Sequence, residues 1–453
     1  MSLPNRTNST SYEHPQETNL LNLHKAMEYN NLGQPVLRVK TNYGGGSSGG
    51  YNDSPSIDAF GRLRVGEPHT LFDSSFRYGD DTYKWNYTTS GNATVSHLSN
   101  ESSMKLEVGT DAGASVIRET SHVFKYQPGK SLLILATFAM NATKTGLRQR
   151  VGYFGANDGI YFEVSDDVKY LVIRKSITGS VDDTTERIPQ SAWNVDTLDG
   201  TNTAVNPSGI LLSQTGTQIF WTDVEWLGVG SVRCGFVING LFILCHIFNH
   251  ANNGLTSVYM KSATLPIRYE ITNTGNTSGN SSLKQICSTV ISEGGYENRS
   301  VGGGATTSLT GKACSNTTPS PLVAFRLKST HLDAVVSLKN FTVYGLQQAA
   351  YAWVLMLNPT LNAGNVTFVS SGASSAVEYN VLATGMAGGS VIARGIFVGD
   401  VKGAAVLIKD TDIDGSLQLG RTIGGVSDII VLAAQATTNN DVAAGSVTWQ
   451  EHT

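Results

Sequence analysis

Charge is scarce in this chain of 453 residues: Asp, Glu, Lys and Arg together make up 15%, against about a quarter in ordinary soluble domains. Long surface helices laced with Lys and Glu are therefore not expected. Basic excess is missing too, with a formal net charge of -4 and a pI near 6.1, so there is no footprint for holding nucleic acid by counterion release. Long apolar runs are absent. The longest, Leu132 to Met140, falls far short of the ~20 residues a membrane span needs, and membrane insertion is not expected. The first thirty residues are polar and carry no leader pattern, which leads to the expectation of a protein made in a cytoplasm. Cysteine is limited to Cys234, Cys245, Cys287 and Cys314. They are too scattered for a disulfide framework, and none sits in the Cys-x-x-Cys spacing of a zinc site.

What is abundant is glycine, 48 residues, set among Ser, Thr and Asn, residues that favour turns and weaken helix interiors. The apolar stretches between them have strand length. Ser131 to Ala139 is continuous enough for burial on both faces, whereas Ile160 to Ser165 and Gln218 to Leu227 alternate as half-buried strands do. Asn239-Gly240, between two apolar runs, predicts a two-residue hairpin of type I′, which wants positive φ at both positions. Cys234 and Cys245 read as small buried hydrophobes on those strands. Helical periodicity is confined to a turn or two at Leu20 to Met27. The fold class expected is all-β: an extended N-terminal arm, a jelly-roll-like antiparallel β-sandwich and a second, smaller C-terminal sandwich.

The arm and a glycine-rich hinge, Tyr43-Gly-Gly-Gly-Ser-Ser-Gly-Gly-Tyr51, make up residues 1–55. The main sandwich is expected over 56–345 and the small one over 346–453, with strands at Val391 to Val398, Ala404 to Lys409, Ile429 to Ala433 and Ser446 to Trp449. The hinge has few side chains to bury and behaves in this reading as a short tether. Such a layout suits an arm that docks on a partner and displays the rest. The loops Ser176 to Gly216 and Asn273 to Ser282 are long and polar, as contact surfaces are.

Few residues carry a chemical pattern. Asp223 and Glu225 stand two apart in Trp221-Thr-Asp-Val-Glu-Trp226, and paired carboxylates between aromatics are what glycoside hydrolysis uses. Trp221 and Trp226, with Tyr153 and Tyr161, would also stack on sugar rings if exposed, although strand aromatics are more often core. Asp410, Asp412 and Asp414, followed by Gly415, match the first half of a calcium loop. Its twelfth position is Arg421 where a bidentate Glu is needed, so a hairpin turn is the better reading. His246 and His250 are spaced for a helix face but lie on a strand pattern, which disfavours a metal. Thr310-Gly-Lys-Ala313 lacks the spacing of a phosphate loop. No cofactor is expected.

The neighbourhood of Trp221 to Trp226 resembles the concanavalin-like jelly rolls, among them lectins and β-glucanases whose catalytic strand reads Glu-x-Asp-x-x-Glu. Here Trp221 and Trp226 replace the two glutamates, so the resemblance implies the fold and leaves only Asp223 of the carboxylate set. A second resemblance rests on Met27-Glu-Tyr-Asn-Asn-Leu-Gly-Gln-Pro-Val-Leu-Arg-Val39, Asp58-Ala-Phe-Gly-Arg-Leu-Arg-Val65, Thr70-Leu-Phe-Asp-Ser74 and Trp353-Val-Leu-Met-Leu-Asn-Pro359. These segments are similar to virion structural proteins of tailed phages from aquatic bacteria, head or tail appendages assembled after synthesis in the host cytoplasm. The resemblance implies a non-enzymatic, homo-oligomeric virion component, a trimer by analogy, held to other virion proteins by residues 1–55. The different reading is a glycan-binding or glycan-cleaving receptor module, with a host-surface glycan on Trp221, Asp223, Glu225 and Trp226.

Overall fold

The computed structural model describes Met27–Tyr29, Pro35–Leu37, residues 68–297, 299–399, 405–409 (backbone only) and 417–452. Residues 1–48 form one compact unit and 49–453 another. In the first, Met27–Tyr29 pairs antiparallel with Pro35–Leu37. The hinge, the expected turn at Leu20 to Met27 and the triplet Asp410, Asp412 and Asp414 lie outside the described residues.

Among the described residues there is no α-helix and one 3₁₀ turn, Gln190–Ala192. The all-β expectation holds, as two face-to-face sandwiches in which every strand pairing is antiparallel. In the first, a seven-stranded sheet runs Asp182–Pro189, Val168–Lys175, Gly159–Ser165, Leu147–Phe154, Ile267–Asn273, Ser115–Thr120, Trp85–Ser90. The eight-stranded sheet opposite runs Leu241–Phe248, Val232–Ile238, Gln218–Val224, Ser131–Ala139, Ser281–Glu293, Ser103–Val108, Ala93–Leu98, and His69–Ser75 also pairs Ser281–Glu293. Chain segments cross repeatedly between the sheets, as in a jelly roll. Phe162 from one sheet meets Phe236 of the other edge-on at 5.1 Å, with Phe138 and Phe220 alongside. Such aromatic layers supply the apolar area that holds two sheets together.

The hairpin expected at Asn239-Gly240 is present: Ile238 pairs with Leu241, and the two turn residues take φ of 53° and 77°. Ser131–Ala139 is a strand with the predicted bounds. Gly159–Ser165 and Gln218–Val224 differ from expectation, because they are buried on both faces and not on one. Each has its outer face covered by neighbouring side chains, as described below. Cys234 and Cys245 are fully buried.

The second sandwich has a six-stranded sheet that includes Ser320–Leu327, Ile429–Ala436 and Ala350–Leu357. Its five-stranded partner includes Val301–Thr306, Val442–His452 and Val335–Gly345. The boundary expected between 345 and 346 therefore falls inside this sandwich, which begins at Val301. Leu322, Phe325, Val336 and Phe341 pack in one core with Leu432 and Trp449, so strands before residue 346 are needed to close it. Apolar alternation is alike in both sandwiches and marks no border.

The two sandwiches meet where 418–421 runs beside 119–123. His122 Nε2 lies 3.0 Å from the Gln418 carbonyl, Gln418 Nε2 donates to the Val123 carbonyl at 3.2 Å, and the Arg421 amide donates to Ser121 at 2.8 Å.

Candidate functional site

The residues singled out in the sequence do not form a sugar-binding face. Trp221 is 1% exposed and packs edge-on to Phe242, with Leu133 and Leu244 in the same cluster. Asp223 is buried, and its Oδ2 accepts from Nε of Arg233, itself buried, at 3.1 Å. Val224 ends the strand, so Glu225 lies past it, where its Oε2 accepts the Ser231 amide at 3.2 Å. Trp226 is half-buried and donates to the Met260 carbonyl at 3.0 Å. Tyr153 and Tyr161 are fully buried. His246 and His250 have separate partners: Asn194 donates to Nδ1 of the first, while Nε2 of the second lies 2.9 Å from Glu186.

The outer face of the seven-stranded sheet carries what the sequence reading missed. Period-two geometry puts Arg148 and Arg150, Tyr161 and Glu163, and Arg268 and Glu270 on that face. Arg150 Nε donates to Glu163 at 2.5 Å and Arg187 Nε to the same carboxylate at 2.7 Å. Arg150 also reaches Glu270 at 3.5 Å and Asp183 at 3.1 Å, and Arg174 pairs with Asp183 at 3.2 Å. Arg148 adds a contact to Glu270 at 3.6 Å. The guanidinium groups of Arg150 and Arg174 lie over the Tyr161 ring at 5.1 and 5.3 Å, which is why Gly159–Ser165 is buried on this side as well. Burial works against the charge of Arg150, but Tyr161, Glu163 and Glu270 outweigh it and raise its pKa. Burial also opposes the charge on Asp183, yet Arg150 and Arg174 more than offset it and lower its pKa.

This row of ion pairs ends at the joint between the sandwiches. Glu119, on Ser115–Thr120, accepts from Arg421 Nη1 at 2.8 Å and lies 3.5 Å from Arg268 Nε. Above these three opens a cleft of about 310 Å³. One wall comes from the first sandwich, with Ser262 and Thr264, and the other from the second, with Ser329 and Thr330. Burial lowers the pKa of Arg268 in spite of Glu270 and Glu119. A shallower depression of about 460 Å³ lies over Gly302, Gly303 and Gly304 beside Lys339; it brings no charged pair together. Among the described residues no group of three or more His, Cys, Asp or Glu converges to hold a metal.

The recurring Arg-x-Arg and Arg-x-Glu spacings on strands were the sequence signal for the ion-pair row. The cleft itself had none, since Glu119 and Arg421 are 302 positions apart.

No protein-family model and no curated sequence matches the chain. Solved structures do align with it. A GH16 enzyme of the mixed-linkage glucan locus of Bacteroides ovatus shares 12% identity over 49% of this chain and 99% of its own, with a TM-score of 0.32. The catalytic domain of an endo-1,3-β-glucanase (laminarinase) from Thermotoga petrophila RKU-1 shares 13% over 51% and 100%, with a TM-score of 0.33. A protein of unknown function from Shewanella oneidensis MR-1 shares 10% over 64% and 100%, also at 0.33. Glycoside hydrolases thus stand among these neighbours, and no phage virion protein is among those named. The expectation of a non-enzymatic chain is corrected on this point: structures that align with it are endo-glucanases. At such identities and TM-scores the likeness carries no activity to this chain.

Proposed function

We propose that the chain recognises a glycan and that the cleft at Glu119, Arg268 and Arg421 is the binding site. One observation carries this reading: two sandwiches turn hydroxyl, carboxylate and guanidinium groups into a single cleft. Ligand sites concentrate at such junctions, where a few convergent polar groups fix orientation. Sugars present neighbouring donors and acceptors, and Ser262, Thr264, Ser329 and Thr330 can both donate and accept. The buried Trp221 and Asp223 are no part of this site. Affinity electrophoresis in gels containing single polysaccharides tests the reading. Retardation by at least one polymer, lost in Arg421→Ala, supports it; equal mobility in every gel overturns it. Release of reducing ends from the retained polymer decides whether binding leads to cleavage.

A second reading, display on a virion, is favoured by the separation of residues 1–48 from 49–453 as compact units. In it, residues 1–55 dock on other virion proteins, the sandwiches face outward as a homo-oligomer, and the glycan belongs to the host surface. Immunogold labelling of particles with antibody against residues 346–453 tests it, and particles that carry no antigen even after denaturation overturn it.

A further inference from the structure

The charges at the cleft floor do not balance. Arg268 and Arg421 share the carboxylate of Glu119. Arg268 is 5% exposed, and its Nε lies 3.5 Å from Glu119 and 3.8 Å from Glu270 in ion-pair range but without a hydrogen bond. A buried guanidinium N–H left without an acceptor is costly, and such groups are normally satisfied. Glu270 offers little more, because Arg148 and Arg150 already engage it. Arg421 uses Nη1 on Glu119 while its side chain remains 16% exposed. Two further carboxylates line the cleft. Asp158 is committed to three donors, the Ser176 amide and hydroxyl and the Lys261 amide. Asp333, at the exposed rim, opposes an incoming anion.

We infer that the cleft takes an acidic glycan, one bearing a carboxylate or sulfate ester that docks on Arg421 and Arg268 while the hydroxyl-lined walls meet the sugar ring. This rests on the glycan reading above and names its ligand class. A planar guanidinium matches a carboxylate or sulfate with two parallel N–H donors, and the partly exposed guanidinium of Arg421, which spends only Nη1 on Glu119, has donors left for an incoming anion. Along the same face, the ion pairs involve six arginines (148, 150, 174, 187, 268 and 421) and four carboxylates (Glu119, Glu163, Asp183 and Glu270). Asp158 and Asp333 bring the carboxylates of row and cleft together to six, so the pull on an anion is local to Arg421 and Arg268 and does not come from a net positive field.

The test uses the full chain in gels containing a polyuronate, a sulfated galactan or neutral laminarin. Retardation by an acidic polymer, weak retardation by laminarin and loss of binding as salt is raised are expected. Arg421→Gln should weaken acidic binding about tenfold, the worth of a charge-assisted contact. Asp333→Lys, at the exposed rim and so tolerated by the fold, should strengthen it several-fold. Binding of the polyuronate alone assigns a carboxylate, and of the galactan alone a sulfate; either supports the inference. Equal retention on laminarin, with Asp333→Lys unchanged, overturns the acidic class and leaves glycan recognition standing. No retention on any polymer removes the glycan reading itself.

Discussion

Arg421 donates from Nη1 to Oε1 of Glu119 across 2.8 Å, and this contact joins the second sandwich to the first. Around it the backbones of Arg421 and Ser121 are hydrogen-bonded, and Asn86 donates to the Arg421 carbonyl at 2.9 Å. The joint is thus a short stretch of edge pairing locked by one ion pair. The cleft proposed as the binding site depends on its geometry.

Removing Glu119 leaves Arg268 buried with a weakened counter-charge. Glu119→Ala is expected to cost about 3 kcal/mol, within the range for breaking a buried pair. Glu119→Gln should cost less, because the amide oxygen still accepts a hydrogen bond. Urea unfolding followed by tryptophan fluorescence checks the order.

Stability should fall in mild acid. Nδ1 of His246 accepts the Asn194 amide at 3.1 Å, and burial lowers the pKa of this ring from 6.5 to about 4. Below pH 6.5 the unfolded chain takes up a proton that the folded one refuses. The contribution of His246 is therefore complete above pH 6.5 and is lost as pH falls toward 4, by at most about 3 kcal/mol. Burial lowers His122 in the same direction. Melting temperatures measured across this window should decline, and His246→Gln should flatten the slope.

Two glycines should respond to alanine in different degrees. Gly240 has φ of 77° in the hairpin turn and open space around it, so Gly240→Ala pays only for backbone conformation, about 1 kcal/mol. A methyl group at Gly235 would overlap the Ile243 carbonyl oxygen and come within 2.9 Å of the Trp221 indole. Gly235→Ala should cost about 3 kcal/mol, near the upper end for overpacking. Thermal unfolding of the two variants side by side settles the ranking.

Thiol labelling should distinguish the four cysteines. Cys234, Cys245 and Cys314 are buried, and burial pushes the thiols of Cys234 and Cys314 up to about 12 and about 11. Cys287 is exposed. Reaction with an aromatic disulfide reagent should consume one thiol in the native protein and all four in denaturant, because thiolate access controls the rate. Cys287→Ser should abolish the native signal.

Much of the backbone plan was legible along the chain, because strand length, turn chemistry and period-two alternation are local. Ser131–Ala139 has an apolar residue at nearly every position, and Asn239-Gly240 supplies two residues that tolerate positive φ, so both elements could be read without their partners. The outer faces could not. Tyr161 and Glu163 look like half-exposed strand residues until Arg150 and Arg174 are known to lie over them. Asp223 looks like half of a catalytic pair until Arg233 is paired beside it on the next strand.

The sequence by itself determined an all-β chain with an antiparallel sandwich, since low charge, abundant turn formers and short apolar runs leave few other ways to bury a core. Only the tertiary structure decided where the second sandwich begins, which charges are neutralised and where a ligand could sit. Those depend on register and on contacts such as Glu119 with Arg421, and a two-residue period specifies which side of a strand a residue faces without specifying what it meets there.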